Sequence, residues 1–447
     1  MKRSALIVTT ISSFLIPFAA SSVNIALPTI GKDFSMDAIT MNWVATAFLL
    51  STAVFLVPIG RLADIKGRKR IFLFGISIFT LASLFCGIST STKMLIASRV
   101  FQGLGASMIF STSVAILTSV YPISERGKVL GINVASVYTG LSMGPFFGGF
   151  LTQSFSWRSV FLVMVPLGIF VIILSLWKLK GEWADAKGER FDFSGSILYG
   201  LALVILLLGI SEISKPLILI GSFLLVIFIV YEGKTRSPVL HVELFKRNIT
   251  FTFSNLAALL HYSATFGITF LLSLYLQYIK ALTPQEAGII LVSQPAVQAL
   301  LSPLAGWLSD RVEPRVVASS GMGITALGLF IFSSLRENTP LGFIIGNLVL
   351  LGTGFALFSS PNTNAIMSSV ERRYYGTASA MLATMRVIGQ TLSMAIIMII
   401  FAVYMGKVEI APQIHEIFIK SLRVCFTIFS LICLIGIFAS IARGKIR

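Results

Sequence analysis

Charge is scarce in this chain of 447 residues. Lys, Arg, Asp and Glu together make up 12% of it, and only 18 residues are acidic against 35 that are basic. Soluble domains carry about 25% charged residues, and the mean hydropathy here is +0.90, so a soluble fold is excluded. Cysteine is equally thin: Cys86, Cys425 and Cys433 all fall in apolar runs as small apolar side chains and suggest no disulfide framework. The apolar runs hold no His/Cys/Asp/Glu cluster with metal-ligand spacing, so no metal or other cofactor is expected and a membrane enzyme is disfavoured. A phosphate-binding loop is missing too. Gly233-Lys234-Thr235 has its ending, but Phe228 stands where the first glycine belongs; energy for pumping must come from a gradient.

What the chain has instead is apolar length. Runs of about 20 residues, enough to cross a hydrocarbon core of about 30 Å, recur from end to end. Each is uniformly apolar rather than alternating, which points to helices, because a helix satisfies its backbone hydrogen bonds internally. The fold expected is an all-α polytopic membrane protein with fourteen transmembrane helices. The start, MKRSALIVTT, imitates a signal peptide, but the apolar run continues to Ile30, which favours a retained first span.

Basic residues then give orientation. With fourteen spans both termini share a side, whose loops hold 24 of the 35 Lys and Arg; the opposite loops hold seven, and Arg99, Arg158, Arg386 and Arg423 lie in spans or at their edges. Both termini are therefore expected in the cytoplasm, with the protein in the cell's cytoplasmic membrane. The same asymmetry accounts for the net charge of +17 as a topology signal, without nucleic acid as a partner.

The most polar stretch between two spans is GRLADIKGRKR at 60–70, and it has an echo in GWLSDRVEPR at 306–315. Asp64 and Asp310 are 246 residues apart, while Gly103, Gly105 and Gly127 recur as Gly352, Gly354 and Gly376, each 249 later. The economical account is two six-helix bundles in parallel pseudo-repeat, residues 1–178 and 249–447. Two further helices with cytoplasmic linkers, 179–248, are inserted between them. Repeats of this kind are a transporter architecture with substrate bound between the halves.

Several motifs follow one another in order: NIALPTI at 24–30, NWVATAFLL at 42–50, GRLADIKGRKR, RVFQGLGAS at 99–107, GLSMGPFFGG at 140–149 and WRSVFLVMVPLG at 157–168. Together they resemble the major facilitator superfamily, specifically its fourteen-span drug/proton antiporter branch, over most of the chain. The resemblance implies alternating access without a cofactor, a small-molecule substrate, protons as the candidate exchanged ion, and a monomer in lipid.

The residues allow a plainer and a sharper reading at each site. Gly60 and Gly67 permit a tight turn, and Arg61, Lys66, Arg68, Lys69 and Arg70 fit a solvated positive-inside loop. That leaves Asp64 and its echo, Asp310 beside Arg311, unexplained. In the family this carboxylate pairs with a nearby Arg, here Arg68 being in reach, and meets the start of a helix in the other half. That helix would begin near Gly376 and Thr377, making the contact a conformational switch. Gly140, Gly144, Gly148 and Gly149 present a face without side chains, suited to helix packing, while Pro145 removes a backbone hydrogen bond; the resemblance implies a bend hinge.

Arg99, about a turn inside the fourth span beside Gln102, either snorkels or serves coupling or substrate contact; Arg386, with Gln390 on the same face, poses the same question. The usual first-span pattern has an Asp where Ala19 stands, and all 18 acidic residues fall in loops or at span ends. The expected proton carrier is thus missing. His261 is either a structural residue hydrogen-bonded to a neighbouring helix or a proton site. A cavity lined by Asn24, Arg99, Gln102, His261, Gln294, Gln298 and Arg386 would be neutral to positive. These features point to a secondary transporter, exporting small amphiphilic compounds. The alternatives are a facilitator of neutral or anionic metabolites and a receptor that does not transport.

Overall fold

The structure is a computed structural model that describes residues 2–36, 38–211, 214–405 and 415–444. Among the described residues it is entirely helical. The first stretch contains α1 (Lys2–Asp33), α2 (Ala38–Lys66), α3 (Arg68–Gly87), α4 (Thr92–Val120), α5 (Ile123–Ser154), α6 (Trp157–Leu162) and α7 (Met164–Lys178). The middle holds α8 (Phe193–Ser211) and α9 (Lys215–Glu232). Then come α10 (Val242–Arg247), α11 (Ile249–Thr265), α12 (Gly267–Leu274), α13 (Pro284–Leu291), α14 (Ser293–Arg311), α15 (Pro314–Phe332), α16 (Leu341–Ser368), α17 (Tyr375–Tyr404) and α18 (His415–Ala442). A π turn at Tyr275–Ile279 follows α12, and a 3-10 turn at Arg372–Tyr374 leads into α17.

Among the described residues, thirteen helical segments are long and apolar enough to cross a membrane. The count of fourteen expected from the sequence included residues 129–152, which lie in α5 and are not among the thirteen. At 32 residues α5 has the length, but it holds six Gly, four Ser and two Thr, which lower its hydropathy. The reason lies in its packing: α5 is sandwiched between α1 on one side and α14 on the other, so small and polar residues replace lipid-facing ones.

Elsewhere α2 packs on α4 and α17, α3 on α4, α15 on α16 and α18, and α11 on α17 and α18. The α8–α9 hairpin leans on the rest through α8, which touches α2 and α17. Its apolar outer residues Leu219, Phe223 and Val230 are exposed, as a lipid-facing surface requires.

The glycine face of α5 meets α1 directly. A Cβ at Gly140 would lie 2.5 Å from the Phe14 carbonyl oxygen, and one at Gly148 would lie 2.7 Å from Ser22 Cα; Gly144 sits against Ser21 in the same seam. Gly149 is off this face, with Ile25 the nearest group at 3.8 Å, and Pro145 is half-buried within the continuous helix. Gly148→Ala should therefore lower the thermal midpoint of the purified protein. Gly149→Ala should leave it unchanged or raise it, since alanine favours a helix over glycine by about 1 kcal/mol. Equal midpoints for the two variants would refute the close-packing account. Gly140, Ser142 and Gly144 also match the spacing of a nucleophile elbow, but they sit in uninterrupted helix. The Ser142 hydroxyl donates to the Tyr138 carbonyl at 2.8 Å, so the strand-to-helix turn that exposes such a nucleophile is absent.

Candidate functional site: a paired helix junction and a central cavity

The segment 60–70 is not the solvated loop its composition suggests. Helix continues through Lys66, and the chain breaks only at Gly67, whose φ of +112° suits glycine. Gly60 is not part of that turn. It lies inside α2 because a Cβ there would come within 2.6 Å of both Ala380 Cβ and the Gly376 carbonyl oxygen of α17. Lys66 and Arg70 are exposed, but Arg61, Asp64 and Arg68 are buried.

Asp64 is the centre of this junction. Its Oδ1 accepts from Arg68 Nε at 3.0 Å and Nη2 at 2.6 Å, and from the Gly376 amide at 2.8 Å. Its Oδ2 accepts from the Thr377 amide at 2.9 Å and the Thr377 hydroxyl at 3.1 Å. Gly376 and Thr377 are in the first turn of α17, whose amides have no partner within the helix, so the carboxylate completes the hydrogen bonding of a helix end from elsewhere in the chain. Its charge also faces the positive end of the helix dipole. Arg68 extends the junction by donating to Ser119 Oγ and Asp185 Oδ2, at 2.8 and 2.7 Å, and to the Arg372 carbonyl. Arg126 donates to the Tyr375 hydroxyl at 2.8 Å.

The echo forms a second junction with the roles exchanged. Asp310 accepts from the amides of Gly127 at 2.7 Å and Lys128 at 2.8 Å, near the start of α5. Gly306 packs on Gly127 so closely that a Cβ there would lie 2.7 Å from the Gly127 carbonyl carbon. Thus α2 grips α17 and α14 grips α5 by the same device. The copies also differ: Asp310 is half-buried, and the adjacent Arg311 is exposed over the Trp307 ring, 4.0 Å from its centroid, whereas Asp64 and Arg68 are both buried.

The linker after α7 closes over the first junction, a role that the sequence reading missed. Glu182 accepts from the amides of Lys69 at 2.8 Å and Arg70 at 3.2 Å, capping α3, and Glu189 pairs with Arg61. The Arg68 amide donates to the Trp183 carbonyl at 2.9 Å, and the Ala186 amide to the Asp64 carbonyl at 3.1 Å. The available signal was three linker carboxylates matching a cationic motif. Beyond the linker, His241 packs its ring against Tyr374, with centroids 4.7 Å apart. Burial and then the Arg61 charge push its pKa down to about 4, so it enters the junction as a neutral ring.

Between the two sets of helices lies a cavity of about 40 Å³, far below the roughly 300–1,000 Å³ of small-molecule sites. The helices are drawn together here. Its walls come from α1, α4 and α5 on one side and from α11, α16 and α17 on the other, and Arg386 is its one charged residue. The Arg386 guanidinium lies 5.2 Å from the Tyr262 ring centroid, and its Nε has no hydrogen-bond partner. Tyr138 reaches from α5 across to Ser359 and Gln298.

The other expected lining residues lie elsewhere. Arg99 is buried beside Gln102, to which it donates; it also donates to the Val44 carbonyl at 2.9 Å and lies 4.4 Å from the Phe48 centroid. Gln102 donates to Ser83 Oγ at 2.7 Å. This network sits among α2, α3 and α4, and Arg99 does not snorkel. Asn24 is exposed, and Gln294 is buried on α14 without lining the cavity. Gln298 is buried behind Tyr138, with its Nε2 at 3.4 Å from Ser359 Oγ.

His261 is fully buried, stacked on Phe358 at 4.1 Å with Phe355 edge-on at 4.9 Å. Neither ring nitrogen has a hydrogen-bond partner in the protein, so the expected bond to a neighbouring helix is corrected: aromatic packing holds this ring. Tyr138, Tyr262, Asn133 and Ser359 are among the cavity residues that the sequence did not single out as lining, because polar residues scattered around a membrane helix do not mark which face turns inward.

Residues 9–254 and 254–444 each match the Major Facilitator Superfamily. The riboflavin transporter RibZ of Clostridioides difficile is 30% identical over 443 residues, covering 98% of this chain and 97% of that protein. The multidrug resistance protein Stp of Mycobacterium tuberculosis is 31% identical over 413 residues, covering 90% and 76%. Among solved structures, the human organic anion transporter MFSD10 superposes with a TM-score of 0.72 over 98% of this chain and 99% of that one; at 12% identity the likeness establishes the fold alone.

Proposed function

The chain belongs to the Major Facilitator Superfamily of transporters, and from that premise we propose that it exports small amphiphilic compounds across the cytoplasmic membrane by rocking between two states. The observation that carries this reading is the pair of junctions, Asp64 on Gly376 and Thr377 and Asp310 on Gly127 and Lys128. Both tie residues of the first 178 positions to residues beyond 249, at one end of the helices, over a cavity too small for substrate. With fourteen spans, α5 included, and both termini cytoplasmic, that end faces the cytoplasm. The state described is then closed to the inside, and opening requires both junctions to part while 1–178 and 249–447 move as bodies. The inserted hairpin of 179–248 rides beside them.

The relative named a multidrug resistance protein supports efflux. The one named a riboflavin transporter supports a second reading, transport of a metabolite. Protons are the proposed exchanged ion, with a carboxylate at a helix end as carrier rather than His261, which is enclosed by rings away from the cavity.

Counterflow of a labelled amphiphile panel in proteoliposomes, with internal pH monitored, tests the proposal. Substrate-dependent movement with an opposing pH change is expected. Movement without a pH change turns the reading to facilitated passage, and no movement under any imposed gradient turns it to a receptor.

A further inference from the structure

The charge pattern of the cavity carries more than transport itself. Its polar wall consists of hydroxyls, the Asn133 amide, two phenols and Arg386, and no carboxylate lines it. Asn133 is already engaged, donating to Ser13 Oγ at 2.8 Å. Arg386 is not paired with any acid among the described residues; the groups facing it are two phenols, Tyr262, which it hydrogen-bonds and whose ring it lies over, and Tyr138. A guanidinium without an acidic partner at this depth costs about 2.5–3.5 kcal/mol on insertion scales, and a hydrogen bond to one neutral phenol and contact with its ring offset only part of that. Its Nε donor remains unused. Such a site repels organic cations and offers an anion a fork of donors.

We infer that the transported compounds are small organic anions: the Arg386 guanidinium holds the anionic group, the Tyr262 and Tyr138 rings cover the apolar body, and the anion's arrival draws Tyr138 away from Ser359 and Gln298. The last step matters because Tyr138 belongs to α5 while Ser359 and Gln298 belong to α16 and α14. Substrate entry thereby removes a contact between the moving bodies in the middle of the membrane. The cavity is contracted in the closed state and accepts the ligand once the bodies part. This inference rests on the transport reading for its physiological meaning, while binding can be measured without movement.

The test uses the purified full chain in lipid nanodiscs and three compounds that share one ring system: 2-naphthoate, the neutral 2-naphthamide and the 2-naphthyl-trimethylammonium cation. Calorimetry should show naphthoate binding at least about tenfold more tightly than the amide, equivalent to about 1.4 kcal/mol, with the cation weakest. Arg386→Gln should bring naphthoate down to the level of the amide, and Arg386→Lys should keep part of the preference, which separates a charge effect from misfolding. Binding of the amide or the cation as tightly as naphthoate, a preference that survives Arg386→Gln, or no binding by any of the three overturns the inference. Flux without anion preference in proteoliposomes would overturn it and leave the transport reading standing. Anion binding without flux would do the reverse.

Discussion

Gly60→Leu and Gly306→Leu are each expected to lower transport turnover about 10- to 100-fold while leaving a monodisperse, folded protein. Each glycine faces the backbone of the opposing helix: Gly60 the Gly376 carbonyl and Gly306 the carbonyl carbon of Gly127. Backbone has no rotamer with which to make room, and overpacking a tight contact costs about 1–3 kcal/mol. In many core sites that cost falls on folding. Here the helices can escape it by parting, so it falls on the closed state alone and shifts the population by roughly tenfold per 1.4 kcal/mol. Spin-label distances between the first turn of α17 and the end of α2 should lengthen in both variants. Because both junctions close in the same state and share no partners, the two costs should add, and the double substitution should lower turnover by about the product of the two single losses. Wild-type turnover in either single variant would remove the junctions from the cycle.

Asp64→Asn should also slow turnover by about 10- to 100-fold, with substrate affinity at equilibrium nearly unchanged. The substitution keeps the size of the side chain and one acceptor but removes the charge. Contact of an anion with a helix start is worth about 0.3–1 kcal/mol, rising to about 2 when partly buried. Hydrogen bonds to charged groups contribute about 1.5–3 kcal/mol, and Asp64 accepts two of them from Arg68. Breaking a fully isolated buried pair costs about 3–5 kcal/mol, but Arg68 retains Asp185, which places the effect below that range. Asp310→Asn should be milder, since Asp310 is half-buried and Arg311 is exposed. Counterflow rates set beside equilibrium binding separate the two effects. A larger loss in Asp310→Asn than in Asp64→Asn would contradict this account.

How far the sequence went can be judged from these residues. The helical class and the ordered motifs were legible because apolar length and loop charge are local properties. Asp64 and the start of α17 were legible only through the family resemblance; no local pattern links positions more than 300 residues apart. The burial of Arg61 and Arg68 was not legible, because a positive-inside loop accounts for the same cations without partners. Arg99, His261 and Arg386 show the sharper limit. All three sit in helices whose polar residues are scattered over several faces, so spacing assigns none of them to the cavity, to a neighbouring helix or to lipid. The structure sends Arg99 into a polar network, His261 into an aromatic stack and Arg386 to the cavity. Gly149 was grouped with its neighbours by composition and separated from them only by the register of α5 on α1.

The linker that covers the first junction also orders events during synthesis. Arg68 and Asp185 are 117 residues apart, so the cations of 61–70 emerge from the ribosome long before the carboxylates that neutralise them. In that interval they act as unpaired positive charge flanking α2 and α3, the form in which basic residues fix the orientation of a span. Once Glu182, Asp185 and Glu189 arrive, they pair with Arg70, Arg68 and Arg61. One short segment thus holds both the cations from which the orientation was expected and the buried pairs of the junction.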